Sequence, residues 1–232
     1  MKYNKNIYEA VFKKRPNRFN AIVILKDEEI VVHVPNTGRC KEILKDGTKV
    51  FLREELNPTR KTKYDLIAAI KGDTLISIDS QIPNKVVNEA LVNKKINILN
   101  KYTKISREKT FGKSRFDFKL STEDEKEIYY LEVKGVTLEE NGHCMFPDAP
   151  TERGVKHIME LIEAKKKGFG AGILFLIQLD NVKTFSPNDI TDVEFGNALR
   201  LAKENHVDIM AYSCIVDREG IEINNIVDII FK

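Results

Sequence analysis

The feature that most constrains this fold is a pair of short strand-like runs joined by a polar, acidic link. Ser114-Arg115-Phe116-Asp117-Phe118-Lys119-Leu120 alternates charge with apolar bulk, and residues 128–136 form an apolar run interrupted by Glu132 and Lys134. In a strand, successive side chains point to opposite faces. Phe116, Phe118 and Leu120 are therefore expected on one face of the first strand, with Arg115, Asp117 and Lys119 on the other. On the second strand, Leu131 and Val133 pack inward, and Glu132 and Lys134 share the opposite face about 6.6 Å apart. If the two strands pair, Asp117 comes beside Glu132, with Lys134 one step away.

The surrounding patterns place this pair in an α/β layer. Residues 84–91 read as a helix that Asn84 can cap, with Val86, Val87, Ala90 and Leu91 as its apolar stripe. Residues 151–167 read as a second helix, with Val155, Ile158, Met159 and Ile162 at i, i+3, i+4, i+7. Lys165, Lys166 and Lys167 suit its last turn, and Gly168 ends it. Residues 172–179 form a buried strand, 193–205 a third helix, and 207–216 and 221–230 two closing strands. With 102–111 as a further strand, the order α-β-β-β-α-β-α-β-β describes a mixed sheet. Ahead of this layer, residues 21–25, 30–34, 50–53, 65–70 and 74–78 read as five strands punctuated by Gly47 and Gly72-Asp73. Five strands in so short a span make a small barrel, of the oligonucleotide-binding or the SH3-like kind. The expected organisation is an N-terminal β-barrel over 1–83 and a mixed α/β domain over 84–232.

Two carboxylates and a lysine at one place have a chemical use. A hard divalent cation relieves the repulsion between the acids, and Mg²⁺ or Mn²⁺ is held by one or two carboxylates plus water and phosphate oxygens. A lysine there orients the attacking water or faces developing negative charge. Asp…Glu-x-Lys on adjacent strands is the pattern of the PD-(D/E)xK nucleases, and assigns Asp117, Glu132 and Lys134 as catalytic and Asp117 and Glu132 as metal ligands. Glu89, on the preceding helix, is a candidate third carboxylate. The competing reading is a cross-strand salt-bridge cluster on a solvated sheet face. Against it, Glu132 lies within a run apolar enough for a central strand, where charge needs a reason.

Charge is unevenly spread. Residues 1–83 hold 16 Lys and Arg against 11 Asp and Glu, whereas the whole 232-residue chain has 38 against 35. A basic first domain is the footprint of a polyanion binder. Arg15, Arg18, Arg39, Lys61 and Lys63 are candidates to hold a phosphate backbone, as are Arg153 and Lys156 on the second helix. No Gly-rich phosphate loop points to a small-molecule cofactor. His143 and Cys144 lack a second ligand pair for zinc. Cys40, Cys144 and Cys214 are odd in number and far apart, as expected of free thiols in a reducing cytoplasm. No apolar run is long enough to span a membrane, and the first ten residues lack a signal-peptide core.

Four blocks, in order, carry a resemblance to a known family. They are His33-Val34-Pro35-Asn36-Thr37-Gly38-Arg39, Ser114-Arg115-Phe116-Asp117-Phe118, Leu131-Glu132-Val133-Lys134-Gly135-Val136-Thr137-Leu138, and Phe146-Pro147-Asp148-Ala149-Pro150-Thr151-Glu152-Arg153-Gly154-Val155-Lys156-His157. The chain resembles the sugar fermentation stimulation protein A family. The resemblance implies an OB-like barrel, a restriction-endonuclease-like α/β domain similar to PD-(D/E)xK nucleases, DNA as partner, and a regulatory link to sugar catabolism. Asp117, Glu132 and Lys134 fall on the nuclease motif positions, with Phe116 where that motif has proline. Two functions are compatible with these features: a Mg²⁺- or Mn²⁺-dependent phosphodiesterase acting on DNA, and a DNA-binding regulator that keeps the scaffold without turnover.

Overall fold

The computed structural model describes residues 1–231. Six strands build the first unit: β1 (Ile7–Lys14), β2 (Asn20–Leu25), β3 (Glu28–His33), β4 (Lys49–Glu54), β5 (Tyr64–Lys71) and β6 (Thr74–Ser77). Their order is β3-β2-β1-β4-β5-β6, and a parallel bridge between His33 and Asp65 joins β3 to β5, closing a five-strand barrel with β6 appended. Five of the strands match the sequence reading. β1 does not, because Ile7-Tyr8-Glu9-Ala10-Val11-Phe12 has no clean period of two; only Ala10 and Phe12 are buried in it. The barrel interior is aliphatic, with Val23, Val32, Val50, Leu52 and Leu66 fully enclosed.

The second unit begins with α1 (Pro83–Val92) and continues through β7 (Lys104–Phe111), β8 (Ser114–Ser121), β9 (Ile128–Val136), β10 (Glu139–Glu140) and β11 (His143–Phe146). It then runs through α2 (Glu152–Lys166), β12 (Gly170–Ile177), β13 (Thr184–Pro187), α3 (Val193–Glu204), β14 (Asp208–Val216), β15 (Ile221–Ile226) and β16 (Asp228–Ile229). The main sheet has the order β15-β14-β12-β9-β8-β7. β9, β12 and β14 run parallel and the outer pairs antiparallel, so the sheet is mixed as expected. β9 is interior, and both faces of the sheet are covered. Val86, Val87 and Leu91 of α1 pack with Leu131, Val133, Leu174 and Leu176, whereas Ile158, Leu161 and Phe195 of α2 and α3 pack with Ile173, Phe175 and Ile177. A small sheet, β10-β11-β13-β16, lies apart. Its strands are two to four residues long, too short to leave a periodic trace.

Two helix details depart from the sequence reading and matter for the site. Ile82, not Asn84, occupies the N-cap of α1, and Pro83 takes the first helical position. That position suits proline, since its missing N–H would be unpaired there anyway. Asn84 therefore sits inside the first turn with its side chain free to reach outward. On α2 the buried set is Gly154, His157, Ile158, Leu161, Ile162 and Ala164, with Thr151 as N-cap. The buried stripe is rotated by about one residue from the expected one, so Met159 is 40% exposed and His157 is enclosed. Packing against two neighbours, the sheet and α3, widens the buried face beyond the most hydrophobic positions.

Gln178, just beyond β12, ties the two units together. Its buried side-chain amide donates to the carbonyls of Ser77 and Asp79 at 3.0 and 3.2 Å, and the Gln178 backbone carbonyl accepts from Ser77 N–H. Gly135 permits this approach. A Cβ there would lie 2.5 Å from Gln178 Oε1 and 2.8 Å from Pro83 Cγ.

Candidate active site

The site forms where β8 and β9 part. Their register runs from Ser121 opposite Ile128 to Phe118 opposite Leu131. One residue further, the Val133 N–H is taken by Asp117 Oδ2 at 2.8 Å, and Asp117 Oδ1 accepts from Asn84 Nδ2 at 2.7 Å. A side chain thus replaces the β8–β9 ladder, while β8 stays paired with β7 on both sides of Asp117. Phe118 and Leu120 pack with the α1 cluster, but Phe116 packs against Tyr130 and the ring of His157 on the α2 side. The expectation that Phe116, Phe118 and Leu120 share one face therefore fails at Asp117, where the β8–β9 ladder ends.

Glu132 is next to it and only 3% exposed. Its Oε1 accepts from Lys134 Nζ at 2.6 Å and from His157 Nδ1 at 2.5 Å. Its Oε2 is buried and has no hydrogen-bond partner. Arg153 Nε donates to His157 Nε2 at 3.4 Å, which leaves the ring proton on Nδ1, facing Glu132. Burial alone would raise the Glu132 pKa, but the His157 hydrogen bond and the Lys134 charge outweigh it and hold the carboxyl below its ordinary value. Asp117 moves the other way: burial and the nearby Glu132 charge raise it, against the pull of the Val133 and Asn84 hydrogen bonds. Two adjacent acids pushed in opposite directions mark a site with an unbalanced negative charge.

This arrangement fits a divalent cation. An unpartnered buried carboxylate oxygen is costly unless something positive meets it. Glu132 Oε2 and Asp117 supply the one or two carboxylates that Mg²⁺ or Mn²⁺ uses when substrate and water provide the rest. No group of three or more His, Cys, Asp or Glu side chains able to hold a metal occurs among the described residues. The structure brings Asp117, Glu132 and Lys134 together but not Glu89, whose Oε1 accepts from the amino group of Met1 at 2.8 Å. The Glu132–Lys134 ion pair lies within β9 and not across strands, on a covered face, with side chains 4% and 17% exposed.

The basic candidates are distributed differently. Arg15 does not present a free cation: its guanidinium donates to the carbonyls of Asn36, Gly38, Arg39 and Arg18 at 2.5 to 2.9 Å. Arg18 and Arg39 are exposed on the same side of the barrel. Lys61 is exposed, and Lys63 lies 3.2 Å from Glu54. Lys156 is exposed and donates to the Lys113 carbonyl at 2.9 Å, while Arg153 leans on His157 beside the carboxylates. Segments 36–38, 135–138 and 145–148 converge on a cleft of about 180 Å³ between the two units.

Sequence reasoning missed Asn84 and His157 as parts of the site. The signal for His157 was its spacing, three residues after Gly154 and four before Leu161 on the buried face. Asn84 left no such signal once it was read as a cap.

Comparison with known proteins gives one consistent result. Residues 81–220 match the family described as the sugar fermentation stimulation protein RE domain, and residues 14–78 match the SfsA N-terminal OB domain. A sugar fermentation stimulation protein homolog of Clostridium perfringens is 67% identical over 99% of this chain and 100% of its own length. One from Clostridium botulinum is 67% identical over 99% of both. The structure of Pyrococcus furiosus SfsA in complex with Ca²⁺ superposes with a TM-score of 0.89 at 27% identity, covering 99% of this chain and 98% of that one.

Proposed function

The chain belongs to the sugar fermentation stimulation protein family, and we propose that it binds DNA and hydrolyses phosphodiester bonds with Mg²⁺ or Mn²⁺ at Asp117, Glu132 and Lys134. The observation that carries this reading is Glu132 Oε2, buried and unpartnered beside Asp117. The calcium complex of the archaeal relative supports a divalent cation in this family. A bound cation would supply Lewis acidity and neutralise charge on the scissile phosphate.

The chain's own groups have separate tasks in this reading. Asp117 is fixed by Asn84 and the Val133 N–H, so its carboxylate cannot swing away. His157 and Lys134 hold Glu132 by one oxygen and leave the other facing the site. Lys134, as an ammonium 17% exposed, faces negative charge as it develops on a phosphate. Arg18, Arg39, Lys61, Lys63, Arg153 and Lys156 contact the DNA backbone, and Arg15 acts by shaping the loop at 36–39. The working division is a nucleic-acid-holding barrel over 1–83 and a cutting domain over 84–232. A role in sugar use, which the relatives' name suggests, follows from this DNA binding.

The test is incubation of plasmid and oligonucleotide DNA with Mg²⁺ or Mn²⁺. Metal-dependent cleavage is expected, and is expected to vanish in Glu132→Gln and Lys134→Ala. Cleavage that persists in Lys134→Ala, or that needs no metal, contradicts the assignment.

A further inference from the structure

The barrel wall carries a cavity of about 470 Å³ that the cutting site does not use. Its floor is apolar: Phe12 and Leu44 line it and are 3% and 8% exposed. Its rim is cationic, with Lys14, Arg18, Arg39 and Lys41 exposed around the opening. Among the described residues none of these four is in an ion pair. Asp46, the acid in the lining, lies 3.7 Å from Lys13. The wall at 36–39 is held in place by Arg15, which grips three of its carbonyls and that of Arg18. Beside the rim, Phe19 is 54% exposed, with the Arg18 guanidinium 5.8 Å from its ring centroid.

We propose that this cavity takes one unpaired base of single-stranded DNA, with the flanking phosphates on its cationic rim. The inference rests on the DNA-binding reading and names the form of DNA. Phosphates alone need only a convex cationic surface. A concavity with an apolar floor rewards a flat, partly apolar group that can leave its stack, and in a duplex the bases are paired and stacked out of reach. The exposed Phe19 adds a second surface on which a neighbouring base can stack. The cavity also leads somewhere. Thr37 and Gly38 line both it and the cleft between the two units, and that cleft reaches Gly135, which directly follows Lys134. A strand held in the barrel therefore continues toward the carboxylates.

The experiment is fluorescence anisotropy in chelator, so that nothing is cut. The probes are a labelled single-stranded DNA, its blunt duplex, the same strand with abasic residues, and an RNA strand of matching sequence. The single strand is expected to bind roughly tenfold or more tighter than the duplex, and the abasic strand to lose about tenfold, the lower part of the range that base stacking on aromatic side chains contributes. Arg39→Ala with Lys41→Ala is expected to weaken the intact and abasic strands alike and to flatten the salt dependence. Duplex binding as tightly as the single strand, or no loss on removing bases, overturns the inference while leaving DNA binding intact. RNA bound more tightly than DNA overturns the choice of DNA. No binding of any probe at low salt instead removes the DNA-binding reading itself.

Discussion

His157 Nδ1 lies 2.5 Å from Glu132 Oε1, and both side chains are sealed from solvent, at 6% and 4% exposure. The contact fixes which oxygen of Glu132 is hydrogen-bonded inside the protein and which is left unpartnered. His157→Ala is therefore expected to weaken Ca²⁺ or Mn²⁺ binding by about 10–100-fold, the usual cost of losing a group that orients a ligand. Titration calorimetry on the DNA-free protein reads this directly. His157→Gln, whose amide can still donate, should recover part of the loss. Unchanged affinity in His157→Ala would show that the ring only fills space.

Asp117 presents the opposite situation. Burial and the adjacent Glu132 charge raise its pKa, so its ionised form is a source of strain in the metal-free protein. Asp117→Asn removes the repulsion and keeps an oxygen for the Val133 N–H. The variant is expected to be more stable than the parent by about 0.5–1 kcal/mol, in the range of other relieved functional sites. It should also lose measurable cation binding. Thermal melts with and without Ca²⁺ test both parts: the parent's melting temperature should rise with Ca²⁺ and that of Asp117→Asn should not.

Much of this geometry was legible in the sequence, and the failures have physical causes. Asp117 reaches its place beside Glu132 beyond the end of the β8–β9 ladder, whereas the face that Lys134 shares with Glu132 follows from strand alternation alone. The inward Leu131 and Val133 were readable for the same reason, because β9 is regular from Ile128 to Val136. Phe116 was not, since a side-chain acceptor for the Val133 N–H ends the β8–β9 ladder at Phe118. The small sheet of β10, β11, β13 and β16 is built from pieces too short for any period to register. His157 was hidden because a helix buried on two sides encloses a polar residue at its margin, and hydrophobicity alone cannot reveal that margin. Arg15 reads in sequence like any surface cation. Only the folded loop supplies the carbonyls that occupy it.

That occupation makes Arg15 separable from a phosphate contact. Four backbone carbonyls need a planar fork, which lysine lacks. Arg15→Lys keeps the charge but loses most of those bonds, and is expected to destabilise the protein by about 1.5–3 kcal/mol, as for loss of a charged hydrogen bond. If Arg15 shapes the loop at 36–39, Arg15→Lys and Arg15→Ala should weaken DNA binding to similar extents. If it contacts phosphate, Arg15→Lys should bind nearly as the parent does. Urea unfolding and anisotropy on the same preparations separate the two.

The barrel closure gives a pH prediction of definite sign. Asp65 is 5% exposed, pairs with His33 in the bridge between β3 and β5, and accepts from His33, Arg53 and Arg60. Burial pushes its pKa up, but the hydrogen bonds from Arg60, His33 and Arg53 outweigh that and lower it from the ordinary 3.8. A lowered native pKa means the ionised form is the stabilised one. Its contribution is complete above the unfolded value and is lost as pH falls through that value toward the lowered native one. Asp79, 1% exposed and 3.0 Å from Arg53, has the reverse shift, because burial dominates there. Its contribution is present below the unfolded value and fades as pH rises through the raised native one. Asp65→Asn should therefore cost about 3 kcal/mol at neutral pH, the usual result of breaking a buried ion pair, and markedly less as pH drops below 4. Asp79→Asn should cost less than Asp65→Asn at neutral pH, since it removes a charge that burial opposes. Urea titrations of parent and both variants across acid and neutral pH measure these differences; parallel curves for parent and Asp65→Asn would show that Asp65 does not hold the barrel closed through its charge.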